Sequence, residues 1–257
     1  IVLRAVAITL VVGNHIGLFR LLGGAHLLLI IAGWTFARFC LVPKETGHSR
    51  AIFRTALRIT IPSALLLAWR ATDSGTTNVR LPNVLLIDGY LRQGTPAYWF
   101  VEVLVQTLLL FAVVLAIPAV RRFERRRGFA FALIVLSGSI ALSLTAHDTP
   151  AYPERSMATH GVLWFFALGW LVHRAASPRQ KAVVMAIALL AIPGYFADPA
   201  RELVVLIGLA LLMALPRLIL PRVALSLIGP LASASLYIYL THYAVFRVAL
   251  PHLPRFP

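Results

Sequence analysis

The sequence predicts an all-α protein, a polytopic bundle of transmembrane helices, and three observations support this fold class. Apolar residues make up 60% of the 257 residues. Charged residues make up 13%, whereas a typical soluble domain carries about 25%. The mean hydropathy is +0.84, and the apolar residues form runs that polar or Pro/Gly segments separate. These features exclude an ordinary soluble domain.

Nine apolar runs are candidates for spanning helices. They are Ile1–Leu22, Gly24–Val42, Ile52–Trp69, Tyr98–Val120, Phe129–Thr145, Gly161–His173, Ala182–Phe196, Leu203–Leu220 and Leu225–Val248. Several are shorter than the ~20 residues that ideally span a bilayer. We expect the whole chain, residues 1–257, to form one membrane domain. The odd number of runs favours a tenth helix beyond the last one, so we expect the domain to be truncated at its C-terminus.

The charge of the chain indicates its topology. It carries 24 Lys and Arg residues against 9 Asp and Glu residues, a formal net charge of +15. No basic helix with interleaved aromatic residues stands outside the apolar runs, so nucleic acid is not an expected partner. With a cytosolic N-terminus, sixteen of the 24 basic residues fall on the cytosolic side, as the positive-inside rule requires.

Two ionisable residues, Arg4 and His15, interrupt the first run. Their separation of eleven positions places them within ~20° of one helix face and ~16 Å apart along the axis. Ionisable groups in a spanning helix are costly and normally face a protein interior or a water-filled cavity. The alternative interpretation is that Arg4 extends to the lipid headgroups and His15 bonds a neighbouring carbonyl.

A pair of arginines, Arg54 and Arg58, lies one helical turn apart at the cytosolic end of the third run, before Pro62. Two stacked guanidinium groups can bind a phosphate-bearing ligand. The alternative is that both follow the positive-inside rule and bind nothing. Pro62 is expected to bend the helix.

Two further runs carry polar residues at helical spacing. Glu102 lies four residues before Gln106 in an apolar run, and a buried carboxylate needs a partner, for which an arginine is the obvious candidate. Tyr239 and His242 lie three residues apart in the last run, one turn after Ser235. Tyrosine at a membrane interface is common, so this last signal is weak by itself.

Other segments carry no recognised motif. The segment from Ala71 to Ala97 contains the stretch NVLLIDGYL, which is compatible either with a short element lying on the membrane face or with a plain loop. The segment 147–160 holds two histidines, but their spacing favours a solvated loop over a metal site. The single cysteine, Cys40, excludes a disulfide within the chain. Glycine-rich phosphate loops, nucleophile elbows and zinc-protease motifs are absent from the sequence.

In their order along the chain, the polar motifs resemble one family. They are Arg4 with His15, then RTALRITIP, YWFVEVL, WFFALGWLVHR and SLYIYLTH. The set is similar to the acyltransferase-3 family of integral membrane acyltransferases, and the resemblance covers nearly the whole chain. Where that family shows Ser-Gly-Phe in the second helix, this chain has Ala-Gly-Trp at residues 32–34, so any role of the serine is lost. The family has about ten helices, in agreement with a missing tenth.

The resemblance implies a reaction and a location. An acyl group, often acetyl, would move from a cytosolic acyl-CoA-type donor to a hydroxyl of a carbohydrate, lipid or small-molecule acceptor. Acyl-CoA would be a co-substrate, and neither a tightly bound cofactor nor a metal is expected. The expected location is the lipid bilayer of a bacterial cytoplasmic membrane, with a cytosolic N-terminus.

The motif residues take roles in this reaction. His15 is the expected catalytic base or acyl carrier, because an imidazole with an unperturbed pKa of ~6.5 exchanges protons near neutral pH. Arg4 is expected to hold the donor's phosphates or thioester carbonyl oxygen, and Arg54 and Arg58 its phosphates. The residues expected to bind or orient substrate are Glu102, Tyr239 and His242.

Two other functions are compatible with the same residues. Intramembrane His, Arg and Glu can form a proton relay or a substrate path, as in a transporter or a proton-coupled channel. Against this, no pair of similarly interrupted helices occurs in the two halves of the sequence. A carbohydrate-polymerising membrane enzyme would need larger outer loops than this chain has.

Overall fold

The described part of the chain is helical throughout. The computed structural model describes residues 1–41, 48–72, 78–91, 93–145, 157–215 and 220–249. These ranges contain thirteen α-helices, one short 3₁₀ helix (Pro96–Tyr98) and no β-strand. The α-helices are α1 (Val2–His15), α2 (Gly24–Phe39), α3 (His48–Ala71), α4 (Leu81–Val84), α5 (Asp88–Leu91), α6 (Trp99–Val114), α7 (Pro118–Arg126), α8 (Gly128–Thr145), α9 (Thr159–Arg174), α10 (Pro178–Ala191), α11 (Pro199–Ala214), α12 (Arg222–Ser233) and α13 (Ser235–Ala249). The predicted all-α class is confirmed.

The first helix is shorter than the first apolar run, because α1 ends at His15 and not at Leu22. Gly17 adopts φ +74°, a left-handed conformation that favours glycine. The Leu18 N–H donates to the Gly13 carbonyl at 2.9 Å, and the Gly17 N–H donates to the Asn14 carbonyl at 3.2 Å. This pair of bonds is a Schellman motif, which satisfies the last helical carbonyls. His15 is therefore the last residue of α1.

The last apolar run is bent, and a separate helix forms before the fifth run. The last run forms α12 and α13, which meet at a 73° bend, and Pro230 lies inside α12 one turn before that break. The arginine-rich segment before the fifth run forms its own helix, α7, at 114° to α8. Pro118 begins α7, where a missing backbone N–H is tolerated. Glu124 of α7 pairs with Arg174 at the end of α9.

The described chain divides into two compact units, and unit 2 comprises Ala32–Val184. Its central helix is α9, of which every side chain from Gly161 to Val172 is buried. α8 packs along α9, and α3 packs along α6. The rings of Phe36, Phe111 and Trp170 contact one another edge to face or tilted, so aromatic packing fixes the core of this unit.

The second helix approaches α9 closely inside unit 2. A side chain at Gly33 would collide with the backbone carbonyl of Phe166. The next residue, Trp34, packs its ring edge to face against His173 at 5.4 Å between centroids, and the Arg38 guanidinium lies 4.9 Å from the Trp34 ring centroid. The Ala-Gly-Trp segment is thus a packing contact in which glycine permits the approach of two backbones.

Unit 1 comprises Ile1–Ile31 and Met185–Pro257. In it α1 packs against α12 and α13. The start of α2 crosses α1, because a side chain at Gly24 would meet the Ala7 carbonyl and the Leu10 and Val11 side chains. A side chain at Gly208 of α11 would likewise collide with Leu27. Two glycines therefore set the helix spacing in unit 1.

The surface of the described helices is suited to hydrocarbon. Large apolar side chains are exposed on many of them, among them Trp69, Val113 and Leu190, and so many exposed apolar residues indicate a lipid-facing surface. By length and composition, Ser49–Ala71 and Pro96–Val114 can each cross a membrane. In the part of the chain that the structure describes, the number of such spans is up to four if each bent helix pair is one span.

We predict that Gly33→Ala destabilises the protein. The added methyl group would push against the backbone carbonyl of Phe166, and overpacking of a core costs about 1–3 kcal/mol. Thermal unfolding of the purified protein in detergent measures this loss. Gly138→Ala is the matched control, because that glycine is also helical and has open space around it. Equal unfolding midpoints for the two variants would contradict the close packing of α2 on α9.

Candidate functional site

Two histidines and a tyrosine meet in unit 1, where α1 packs on α13. The Tyr243 hydroxyl oxygen lies 2.9 Å from Nδ1 and 3.3 Å from Nε2 of His15. The ring centroids of His15 and His242 are 5.0 Å apart, and those of His242 and Tyr243 are 4.1 Å apart. We name these three residues the histidine–tyrosine cluster. It joins residues separated by more than 200 positions in the sequence.

The two histidines of the cluster differ in exposure. His15 is exposed at the end of α1. His242 is 3% exposed, and the Phe246 ring packs edge to face on it at 5.4 Å. The exposed imidazole of His15 can contact a substrate, whereas the buried imidazole of His242 contacts neighbouring protein groups. The cluster therefore offers one accessible proton acceptor supported by buried aromatic groups.

A backbone contact fixes the tautomer of His242. Its Nδ1 lies 2.6 Å from the backbone carbonyl oxygen of Tyr239. A carbonyl oxygen only accepts, so Nδ1 carries the proton and Nε2 is the acceptor nitrogen of the neutral ring. Among the described residues this buried Nε2 has no hydrogen-bond partner. Tyr239 itself is 2% exposed and contributes to the site through its backbone.

Arg4 shares a face of α1 with His15 but is not in the cluster. Ala7, Ile8 and Val11 lie on the same face and are buried, so the face packs against protein as the sequence suggested. Arg4 is half-buried. The eleven residues between Arg4 and His15 correspond to ~16 Å along the helix axis. A single small group cannot contact both side chains at once.

Arg54 and Arg58 are both exposed on the first half of α3, in unit 2. The Cys40 Sγ lies 3.9 Å from the Thr55 Oγ1, which places the end of α2 beside this part of α3. Pro62 lies inside α3, where it lacks the N–H that would bond the Arg58 carbonyl. Two accessible guanidinium groups one turn apart are available to an anionic ligand.

Glu102 holds a neighbouring segment onto α6. Its Oε1 accepts hydrogen bonds from the Gly89 N–H at 2.8 Å and from Gln106 Nε2 at 3.1 Å. Gln106 Nε2 also donates to the Leu86 carbonyl at 2.7 Å, and the Thr159 hydroxyl donates to Gln106 Oε1. Among the described residues, the hydrogen bonds to Glu102 thus come from a backbone N–H and an amide side chain, and not from the arginine that the sequence suggested. The substrate-binding role of Glu102 stays a prediction.

The segment before α6 is folded and not a plain loop. It contains the short helices α4 and α5. The Asn83 side chain accepts from the Thr95 N–H at 3.1 Å and donates to its carbonyl at 2.9 Å. Asp88 Oδ1 accepts from the Gln93 and Gly94 N–H groups at 2.9 and 2.8 Å. The Asn83 and Asp88 side chains thus satisfy backbone N–H and C=O groups that no regular helix or sheet pairs in this segment.

The expectation that the protein holds no metal stays a prediction. Among the described residues, no group of three or more His, Cys, Asp or Glu side chains is arranged to hold a metal ion. Most of the segment 147–160, with one of its two histidines, lies outside the described residues.

Sequence reasoning found His15, Tyr239 and His242 but missed Tyr243. Tyr243 follows His242 directly and lies four residues after Tyr239, so the two tyrosines share one face of α13. This four-residue spacing from Tyr239 is the sequence feature that could have indicated Tyr243. What the sequence lacked was the bend between α12 and α13, which decides the face that α13 turns toward α1.

The apolar helices, the bent helix pairs and the exposed apolar surface indicate an integral membrane protein, and one of its units contains the histidine–tyrosine cluster. A family model described as an acyltransferase domain matches residues 1–256. The chain therefore belongs to the acyltransferase-3 family, as its motifs suggested, and is a membrane acyltransferase. No curated protein and no solved structure matches the chain.

Proposed function

We propose that this chain transfers an acyl group, in the simplest case acetyl, from a cytosolic acyl-CoA-type donor to a hydroxyl group of a carbohydrate, lipid or small-molecule acceptor. The observation that carries the proposal is the histidine–tyrosine cluster, an exposed imidazole hydrogen-bonded to a phenol in a member of an acyltransferase family. Acyl-CoA is a co-substrate in this scheme. The proposed orientation, with the N-terminus in the cytosol, rests on the charge distribution of the sequence. The proposed bacterial cytoplasmic membrane rests on the family resemblance.

In the direct form of the reaction, His15 acts as a general base. It takes the proton of the acceptor hydroxyl while the hydroxyl oxygen attacks the thioester carbonyl carbon, and a tetrahedral oxyanion forms. When the oxyanion collapses, the C–S bond breaks and the CoA thiolate leaves with the proton from His15. The products are an ester and CoA, and the imidazole is neutral again.

In the covalent form, His15 carries the acyl group. Its unprotonated nitrogen attacks the thioester carbonyl carbon, the C–S bond breaks, and the CoA thiolate takes the N–H proton of the ring and leaves as the thiol. The acceptor hydroxyl oxygen then attacks the acyl-imidazole, the C–N bond breaks, and the hydroxyl proton returns to the imidazole. Both forms need the same exposed imidazole. They differ in whether label from acyl-CoA stays on the protein when no acceptor is present.

Tyr243 is the proposed positioning residue for His15. If His15 Nδ1–H donates to the phenol oxygen, Nε2 is the nitrogen that takes the proton or the acyl group. The phenol then holds one tautomer and one ring orientation, as the acid does in a serine hydrolase triad. His242 and Tyr239 support Tyr243 and His15 from the buried side.

The arginines are the proposed donor-binding groups. Arg54 and Arg58 would bind phosphate oxygens of the donor, because exposed guanidinium groups one turn apart suit such groups. Arg4 would bind the donor's phosphates. The ~16 Å along α1 that separates Arg4 from His15 argues against the other expected role, contact with the thioester carbonyl oxygen at which His15 acts. Glu102 is proposed to act on substrate only indirectly, through the segment that it holds on α6.

The proposed function is tested with membranes that contain the protein and acetyl-CoA labelled in the acetyl group. Transfer of label to an endogenous glycan or lipid, absent from membranes without the protein, is the expected result. Movement of a solute across the membrane without any transfer would instead identify a transporter. Label retained on the wild-type protein without acceptor, and lost in His15→Gln, selects the covalent form.

We predict that His15→Gln lowers the transfer rate by at least ~10²-fold, since general-base contributions are typically ~10² to 10⁴-fold. Glutamine keeps a polar side chain of similar reach but does not take up a proton at neutral pH. The protein level in the membrane and the unfolding midpoint should stay near those of the wild type. A rate within about threefold of the wild type would move the assignment to His242, and loss of folded protein would indicate a structural histidine.

For Tyr243→Phe we predict a smaller loss, about 2- to 10-fold in kcat, because one neutral hydrogen bond contributes ~0.5–1.5 kcal/mol. The KM for the donor should change little. The variant keeps the ring that packs on His242, so the unfolding midpoint should be retained. The pH dependence of kcat should shift in Tyr243→Phe, because the phenol no longer holds the His15 ring. An unchanged kcat and pH profile would exclude a positioning role.

We predict that Arg58→Ala raises the KM for acyl-CoA by about 10-fold with little change in kcat, as expected when one charge-assisted hydrogen bond is lost. Arg58→Lys should be partly tolerated because the charge remains. Arg122→Ala is the control, since Arg122 is an exposed arginine on the same predicted side of the membrane. If both alanine variants behave alike, the arginines serve topology and not the donor.

A further inference from the structure

Arg201, His26 and Phe196 form a cluster in unit 1 that the proposed function does not use. The Arg201 guanidinium carbon lies 4.0 Å from the centroid of the Phe196 ring. Its Nη2 lies 3.4 Å from Nδ1 of His26. The His26 and Phe196 rings meet edge to face at 4.7 Å between centroids. The guanidinium is therefore held between an aromatic face and an imidazole.

Both partners of Arg201 are uncharged. An arginine N–H only donates, so His26 Nδ1 is the acceptor and the imidazole is neutral, with its proton on Nε2. His26 is 1% exposed. The charge of Arg201 is thus not neutralised by the groups that position it, although arginine stays protonated at any ordinary pH.

The two carboxylates nearest in sequence accept their hydrogen bonds from backbone N–H groups, and Asp198 acts on Arg201 only as a longer-range electrostatic attraction. Asp198 Oδ1 caps α11 by accepting from the Ala200 and Arg201 backbone N–H groups at 3.1 and 3.2 Å. Glu202 Oε1 accepts from the Phe196 N–H at 3.2 Å. Among the described residues, no carboxylate forms a salt bridge with Arg201. Its Nε is buried without a hydrogen-bond partner in the described part of the chain.

The backbone around Arg201 is specifically shaped. Gly194 and Ala197 have φ of +77° and +52°, so two left-handed residues turn the chain between α10 and α11 and bring Phe196 beside Arg201. On the other side, Gly23 has φ +107°, and a side chain there would press on the Arg201 carbonyl and Val204. The cation is therefore held by fixed backbone and ring contacts, unlike a surface arginine.

A half-buried cation that has no salt bridge among the described residues and only the longer-range attraction of Asp198 is costly, and an anion that enters the site offsets that cost. We infer that Arg201, on its Phe196 and His26 supports, is a binding site for an oxyanion, a carboxylate or a phosphate. On the orientation expected from sequence, the turn before α11 lies on the side opposite the acyl donor. If the proposed function holds, on which this second step rests, the oxyanion belongs to the acceptor, and the acceptors are acidic.

The same chemistry occurs in lipid headgroups, so the test separates the two sources. Purified wild-type protein is placed in nanodiscs of phosphatidylcholine, a zwitterionic lipid, and its unfolding midpoint is measured against rising glucuronate or inorganic phosphate. Chloride at equal ionic strength corrects for screening. A second series replaces part of the lipid with phosphatidylglycerol. Binding to the folded state raises the midpoint, so the midpoints give an apparent Kd without any acyl transfer.

We expect glucuronate or phosphate to raise the midpoint of the wild type. In Arg201→Gln the apparent Kd should increase at least ~10-fold, the effect of losing a charge-assisted hydrogen bond. Arg222→Gln is the matched control, an exposed arginine at the start of another helix of unit 1, and its Kd should match the wild type. If Arg201→Gln does not fold, Arg201→Lys provides the comparison, with weaker binding because ammonium lacks the planar stack on Phe196.

Three results would overturn the inference. The first is no shift with either anion in the wild type, and the second is an equal shift in the wild type and both Arg201 variants. The third is an Arg201-dependent shift with phosphatidylglycerol alone, which would assign the site to a lipid headgroup. In membranes, Arg201→Gln should raise the KM for an acidic acceptor without lowering kcat. Anion binding without any acyl transfer would contradict the proposed function and leave the anion site standing.

Discussion

The structure depends on one constraint, that polar groups inside an apolar bundle must find partners within the chain because hydrocarbon supplies none. Glu102 meets this requirement with a backbone N–H and an amide side chain, Asn83 with a backbone amide, and Glu124 with Arg174. The Ser143 hydroxyl donates to the Gly161 carbonyl across the α8 and α9 contact. These pairings stabilise the irregular segments, because each one closes a turn or joins two helices.

The same constraint marks the groups that can serve chemistry. In unit 1, His242 Nε2 and Arg201 Nε are buried and have no hydrogen-bond partner among the described residues. Leaving a buried polar group unsatisfied costs about 1–3 kcal/mol. A fold retains such groups where geometry or function requires them. His242 Nε2 is the acceptor nitrogen of an imidazole beside His15. Arg201 Nε is a donor and belongs to a cation that the His26 and Phe196 rings position.

The sequence was sufficient for the fold class, because nine apolar runs in a chain with few charges permit little else. It also singled out His15, Tyr239 and His242, which the structure brings together and whose roles stay predictions. It did not show the bend between α12 and α13, and without that bend the face of α13 that carries Tyr243 could not be assigned. Arg201 and His26 were missed for a similar reason, since 175 positions separate them and only the tertiary fold brings them together.

The end of α1 illustrates how a local backbone signal sets the chemistry of a distant pair. A Gly at residue 17 stops the helix at His15 through the Schellman bonds. Had the helix continued to Leu22, His15 would lie mid-helix, surrounded by satisfied backbone. At the C-terminal end the helix dipole presents partial negative charge, which stabilises a nearby cation by about 0.3–1 kcal/mol at an exposed position. In the proposed reaction His15 becomes a cation when it takes the hydroxyl proton. The helix dipole at the position that Gly17 gives to His15 thus acts in favour of the charged intermediate, against the desolvation that disfavours it. An interaction that is stronger with the charged intermediate than with the neutral resting state lowers the barrier.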